Sequence, residues 1–121
     1  MGDMTKNFSR KEFACKCGCG EDGIEAELVR MLQVARCEAE APLTINSGCR
    51  CEAHNAASGS KPTSSHIKGL AVDIRAATPR KREQMLWALM QAGFNRLGIH
   101  AKFIHADIDT SKPPDVVWLY G

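Results

Sequence analysis

Ten residues constrain this chain more than any others: Ser64-Ser65-His66-Ile67-Lys68-Gly69-Leu70-Ala71-Val72-Asp73. They join a loop of small residues to a strand-like run, with an imidazole at one end and a carboxylate at the other. Leu70, Val72 and Ile74 alternate with Ala71, Asp73 and Arg75, so a strand here turns its aliphatic residues to one face and Asp73 to the other. An acid within an otherwise apolar strand is costly unless it has a partner. His66 is the nearest candidate.

Phe103-Ile104-His105-Ala106-Asp107-Ile108-Asp109 repeats the alternation, with Phe103, His105, Asp107 and Asp109 on one face and the aliphatic residues on the other. Two histidines and one aspartate from two strands make a three-ligand zinc site with the fourth position left for water. Any one of the four histidines, taken singly, reads more simply as a surface or hydrogen-bonded side chain.

These residues also carry a resemblance. Ser64-x-His66-x(6)-Asp73 followed by His105-x-Asp107 is similar to the zinc D-Ala-D-Ala carboxypeptidase family, part of a larger group with lysostaphin-type enzymes and the hedgehog signalling domain. Ser47-Gly48-Cys49-Arg50 and His54-Asn55-Ala56-Ala57 resemble the Ser-Gly-Tyr-Arg…Asn-Ala block of the same family. The likeness runs from about Phe8 to Trp118. It implies that His66, Asp73 and His105 are zinc ligands, that the substrate is a peptidoglycan peptide, and that Arg50 lies at the rim of the cleft, where its guanidinium would grip a carboxylate or else anchor the loop. Better-known relatives carry an acid three residues before the last zinc histidine, or a second histidine two before it; here those positions are Lys102 and Phe103.

Zinc in such a site lowers the pKa of its water to about 7, and a general base must then take the proton. Asp107, two residues from His105 on the same face, is the expected base and His100 the reserve. Asp107 could instead orient a ligand from behind or pair with Arg96. Ser64 is expected to orient the site, Asn55 to fix the loop and Trp118 to offer an apolar wall, although Trp118 and Tyr120 read first as core residues. His54 and Asp109 read as structural.

The pattern elsewhere predicts one α+β domain over residues 1–121, with a Cys-rich segment at 1–23 and a small antiparallel sheet against two or three helices, a hedgehog/DD-peptidase-like fold. Ser9-Arg10-Lys11-Glu12 is a capping box. Ile24, Leu28, Met31, Leu32 and Ala35 space a helix from Asp22 or Gly23 to about Glu40. Leu43–Asn46 reads as a strand, Glu52–Ala57 as one helical turn, and Thr78-Pro79 opens a helix over Arg80–Ala92 that stops at Gly93. Ala101-Lys102 as a two-residue turn would set Gly98 opposite His105, leaving open space above that ligand, and Arg96 opposite Asp107. A last strand follows Pro113-Pro114.

A net charge of +2 and few aromatic residues give no nucleic-acid signature. There is no apolar run of about 18 residues for a membrane span, and Met1-Gly2-Asp3-Met4-Thr5 opens without a basic-then-apolar pattern, so no signal peptide is expected. The expectation is a monomer, cytoplasmic as synthesised, which reaches the cell wall by a route such as phage lysis, as an endolysin does. Six cysteines stand out in a chain this short. They permit three disulfides in 15 pairings, a second, structural zinc gathered by Cys15, Cys17 and Cys19 with Cys51 or Cys49, or free thiols. Thiols one residue apart are unlike the usual two-to-four spacing of zinc fingers. Two further functions stay open beside the peptidase: a non-catalytic zinc-binding interaction module with a hedgehog-like fold, and a Cys-rich interaction protein.

Overall fold

The computed structural model describes residues 2–120, so the ends of the expected domain, Met1 and Gly121, lie outside the described residues. Its strands are β1 (Ile45–Ser47), β2 (Ala71–Arg75), β3 (Arg96–Ile99), β4 (Phe103–Asp107) and β5 (Val116–Leu119). Its helices are α1 (Ala26–Ala39), α2 (Glu52–Ala57) and α3 (Pro79–Gln91), after a 3-10 turn at Arg10–Phe13 where the Ser9 N–H donates to Glu12 Oε2 at 2.6 Å.

One five-stranded sheet takes the order β1-β2-β4-β3-β5. Period-two alternation divides its faces. Val72, Ile74, Leu97, Ile104 and Ala106 join Leu28, Leu32, Met85 and Leu89 of the helices in the core, while Asp73, His105 and Asp107 fall on the opposite face. The hairpin takes the expected register, with Gly98 opposite His105, and β2 sets Asp73 opposite His105 on the other side. Ser47 pairs with Asp73 and Trp118 with Gly98. A single transverse row, Ser47–Asp73–His105–Gly98–Trp118, therefore takes one residue from each strand.

Two features differ from the expectation. The four strands β1 to β4 pair antiparallel, but β5 joins β3 in parallel, so the sheet is mixed. The chain leaves β4, turns at Asp115 (φ 58°) and comes back on the outer side of β3. The parallel register lays the Trp118 indole and Tyr120 over Gly98, where a Cβ would meet Trp118 Nε1 at 2.5 Å, so the space expected above the glycine is filled. Helix α1 also starts later than its apolar spacing suggests, with Glu25 as N-cap. The Glu25 N–H donates to Gly69 O at 3.0 Å with Glu25 itself in extended backbone (φ −71°, ψ 133°), and Ile24 is buried outside the helix. At α3 the Thr78 hydroxyl accepts from Lys81 N–H at 3.2 Å, the expected cap.

Candidate metal centre and cleft

His66, Asp73 and His105 converge, with one donor atom from each lying within 4.8 Å of the others. All three are buried. Asp73 and His105 meet because their strands pair in register; His66 arrives from the loop before β2. His66 Nδ1 lies 2.7 Å from Gly48 O. A carbonyl only accepts, so Nδ1 donates and the lone pair of Nε2 faces Asp73 Oδ1 at 3.4 Å. Gly48 must be glycine for this, since a Cβ there would stand 2.8 Å from the Phe13 backbone.

His105 is held from behind. Its Nε2 lies 2.7 Å from Asp107 Oδ2, and its Nδ1 3.2 Å from Asp73 Oδ1. Burial alone would lower the His105 pKa, but the bonds to Asp107 and Asp73 outweigh it and raise it. Burial likewise opposes ionisation of Asp73, yet His105 and His66 hold its carboxyl well below the usual range. Asp107, 1% exposed, is also lowered despite its burial, by His105 and by Arg96, whose Nε donates to Oδ1 at 2.7 Å. Both Asp107 oxygens are thus engaged, on the side of the His105 ring away from Asp73. The donor set suits zinc: two imidazole nitrogens with defined lone pairs and one ionised carboxylate oxygen, all facing one point.

The trio opens into a cleft of about 710 Å³. Arg50 is at its wall as expected but is tied to the protein: Nε donates to Ser47 Oγ (3.1 Å), Nη1 to Ser60 Oγ (3.0 Å) and Asn55 Oδ1 (3.4 Å), and Nη2 to Asp73 Oδ2 (3.2 Å). Asn55 fixes the loop by donating from Nδ2 to Lys61 O at 2.9 Å. Ser64 Oγ accepts from the His66 N–H at 3.3 Å. His100 lines the cleft, stacked on Phe103 with ring centroids 4.4 Å apart, and its Nδ1 accepts from Lys102 N–H at 3.1 Å.

Trp118 stands beside His105, ring centroids 5.3 Å apart, with the Arg96 guanidinium 5.1 Å above it. Trp118 and Tyr120 are cleft residues rather than core ones, Tyr120 being 42% exposed. Tyr120, Arg96, Lys61 and Lys112 also line the cleft and were not singled out as site residues; only the pairing of Arg96 with Asp107 had a signal, the hairpin register. His54 stays outside the cleft lining, and Asp109 is a buried anchor for Ser65, Lys68 and Ser111. None of the six cysteines is joined in a disulfide.

A family model described as Peptidase M15 matches residues 6–107. No curated protein sequence matches. Among solved structures, the fold is similar to the crystal structure of the Serratia marcescens L-Ala D-Glu endopeptidase ChiX, with a TM-score of 0.58 and 20% identity over 74% of this chain and 83% of that one.

Proposed function

The chain belongs to the peptidase M15 family, the zinc D-Ala-D-Ala carboxypeptidase-like group its sequence blocks resemble, and on that premise we propose that it is a zinc-dependent peptidase of peptidoglycan peptides. The observation that carries this reading is the convergence of His66 Nε2, Asp73 Oδ1 and His105 Nδ1 in one cleft. Those residues would hold the ion, which when bound polarises a carbonyl oxygen and acidifies a water.

Asp107 was expected as the proton acceptor. Its two bonded oxygens support a positioning role instead: it keeps the proton on His105 Nε2 and the Nδ1 lone pair forward. His100, with Nδ1 accepting from Lys102 N–H, would present Nε2–H as a hydrogen-bond donor to a carbonyl oxygen of the bound peptide. Arg50 steadies Asp73 and, with Lys61 and Lys112, makes the wall cationic, which suits a peptide rich in carboxylates. Trp118 gives that peptide a flat apolar surface, while Ser64 and Asn55 hold the loop that carries His66. The protein acts as a monomer, and no helix among the described residues is long and apolar enough to cross a membrane.

The two bonds to try are the terminal D-Ala and, from the name of the similar structure, L-Ala–D-Glu within the stem. Purified peptidoglycan is incubated with the protein, with protein plus chelator, and after zinc is restored. New amino termini or free alanine that disappear with chelator and return with zinc support the peptidase and separate the two bonds. A second reading, a zinc-holding interaction module, draws on Phe103 stacked on His100 and on an Asp107 whose oxygens are both taken. Zinc bound at full occupancy with no product released would favour it.

A further inference from the structure

Away from the cleft, the sulfurs of Cys15, Cys17, Cys19 and Cys51 all lie within 4.8 Å of one another. Cys15–Cys17, Cys17–Cys51 and Cys15–Cys51 are 3.4, 3.6 and 3.9 Å apart. Four thiolates around one zinc at about 2.3 Å stand about 3.8 Å from each other, the edge of the tetrahedron. Disulfides would instead join sulfurs two by two at about 2.0 Å. The backbone is set for thiolates as well: Cys51 N–H donates to Cys15 Sγ, Glu21 N–H to Cys19 Sγ and His54 N–H to Cys51 Sγ, at 3.5, 3.5 and 3.4 Å. Such bonds favour the charged sulfur. Cys37 and Cys49 are outside the group.

We propose that these four cysteines bind a second zinc ion, a structural clamp that fastens the N-terminal turn to the loop holding the active site. The closed set of four sulfurs leaves no position for water, so the clamp is structural. Cys51 directly follows Arg50, whose guanidinium reaches Asp73 Oδ2, and Arg50 N–H donates to His66 O at 3.2 Å. On the other side, Cys49 N–H donates to Phe13 O at 2.8 Å, two residues before Cys15. The clamp thus closes a loop that fixes the partners of two catalytic-zinc ligands. It selects Cys51 over Cys49, a choice that the Cys49-Arg50-Cys51 spacing left open, and it explains thiols one residue apart: the short turn folds three sulfurs toward a fourth from a distant loop.

The full chain loaded with Zn2+, and separately with Co2+, is compared with three variants by metal analysis and absorption. Wild type binds two ions per chain, and its cobalt form shows sulfur-to-cobalt charge transfer. His105→Ala keeps one ion and that absorption. Cys19→Ser, at an exposed position, loses one ion and the absorption, and its catalytic ion dissociates more readily; Cys37→Ser changes neither. A wild type without charge-transfer absorption, or with all six thiols reacting freely while zinc-loaded, overturns the clamp. So does one iron in place of the second zinc. Should Cys19→Ser not fold, wild type and His105→Ala decide the matter alone. The clamp rests on the thiols and not on the peptidase reading, so a thiolate signal in a protein without hydrolytic activity upholds it and refutes only that reading.

Discussion

Replacing Gly98 with alanine would put a methyl group into space that the Trp118 indole already fills. The new carbon would stand 2.5 and 2.6 Å from Trp118 Nε1 and Cε2 and 2.8 Å from Tyr120 Cε2, where apolar contacts settle near 3.5–4.0 Å. The rings must retreat by about 1 Å. Overpacking of this kind costs about 1–3 kcal/mol, and because Trp118 is only half-buried the lower half of that range applies. With an m-value of about 1–3 kcal/mol/M for urea, a loss of about 1.5 kcal/mol lowers the unfolding midpoint by about 0.5–1.5 M. The displaced indole also leaves His105 and Arg96, so KM for a peptide should rise while metal content holds. A double-mutant cycle isolates the cause: in a Trp118→Ala background the penalty should fall by half or more. An unchanged midpoint in Gly98→Ala, or penalties that simply add, would refute the packing argument.

Arg96→Met strands a buried carboxylate at Asp107 and should cost about 3–5 kcal/mol in urea unfolding; adding Asp107→Asn should recover much of it. Asp107→Asn alone should weaken zinc binding about 10- to 100-fold, read by competition with a chelator. Full zinc affinity with no turnover would instead return Asp107 to the role of base. The Asp109 carboxyl, opposed by burial but held down by Ser111, Ser65 and Lys68, has a folded pKa below its unfolded value. Its stabilisation is therefore complete above the unfolded carboxylate pKa of about 4 and is lost as pH falls through the acidic range. Asp109→Asn should flatten the acid side of a stability–pH profile, and an unchanged slope would count against the anchor.

Much of this was legible in the alternation of two short runs. Period two decides which face Asp73 and His105 occupy, and a two-residue turn decides that Gly98 meets His105, because both follow from local chain geometry. The parallel return of β5 was not legible, since no local pattern in Val116–Leu119 tells which edge it joins or in which direction. Tyr120 therefore reads as core, and Trp118 as core before it reads as an apolar wall of the cleft. Arg50 was legible as a residue of the cleft, but its ties to Ser47, Ser60 and Asp73 depend on a loop whose path only tertiary contacts determine. Ile24 obeys helical spacing and still lies outside α1, because Glu25, its N–H bonded to Gly69 O, takes an extended backbone as the N-cap.

The row that runs from Ser47 to Trp118 draws one member from each of five strands. Side chains flip faces with every residue, so a slip by one position in β2 or β4 would drive Asp73, or His105 and Asp107, among the leucines under the helices. A misaligned sheet would then be penalised by several buried charges as well as lacking a site. The candidate site thereby serves as a proofreader of strand alignment, and chains that escape it should be rare even with no metal bound.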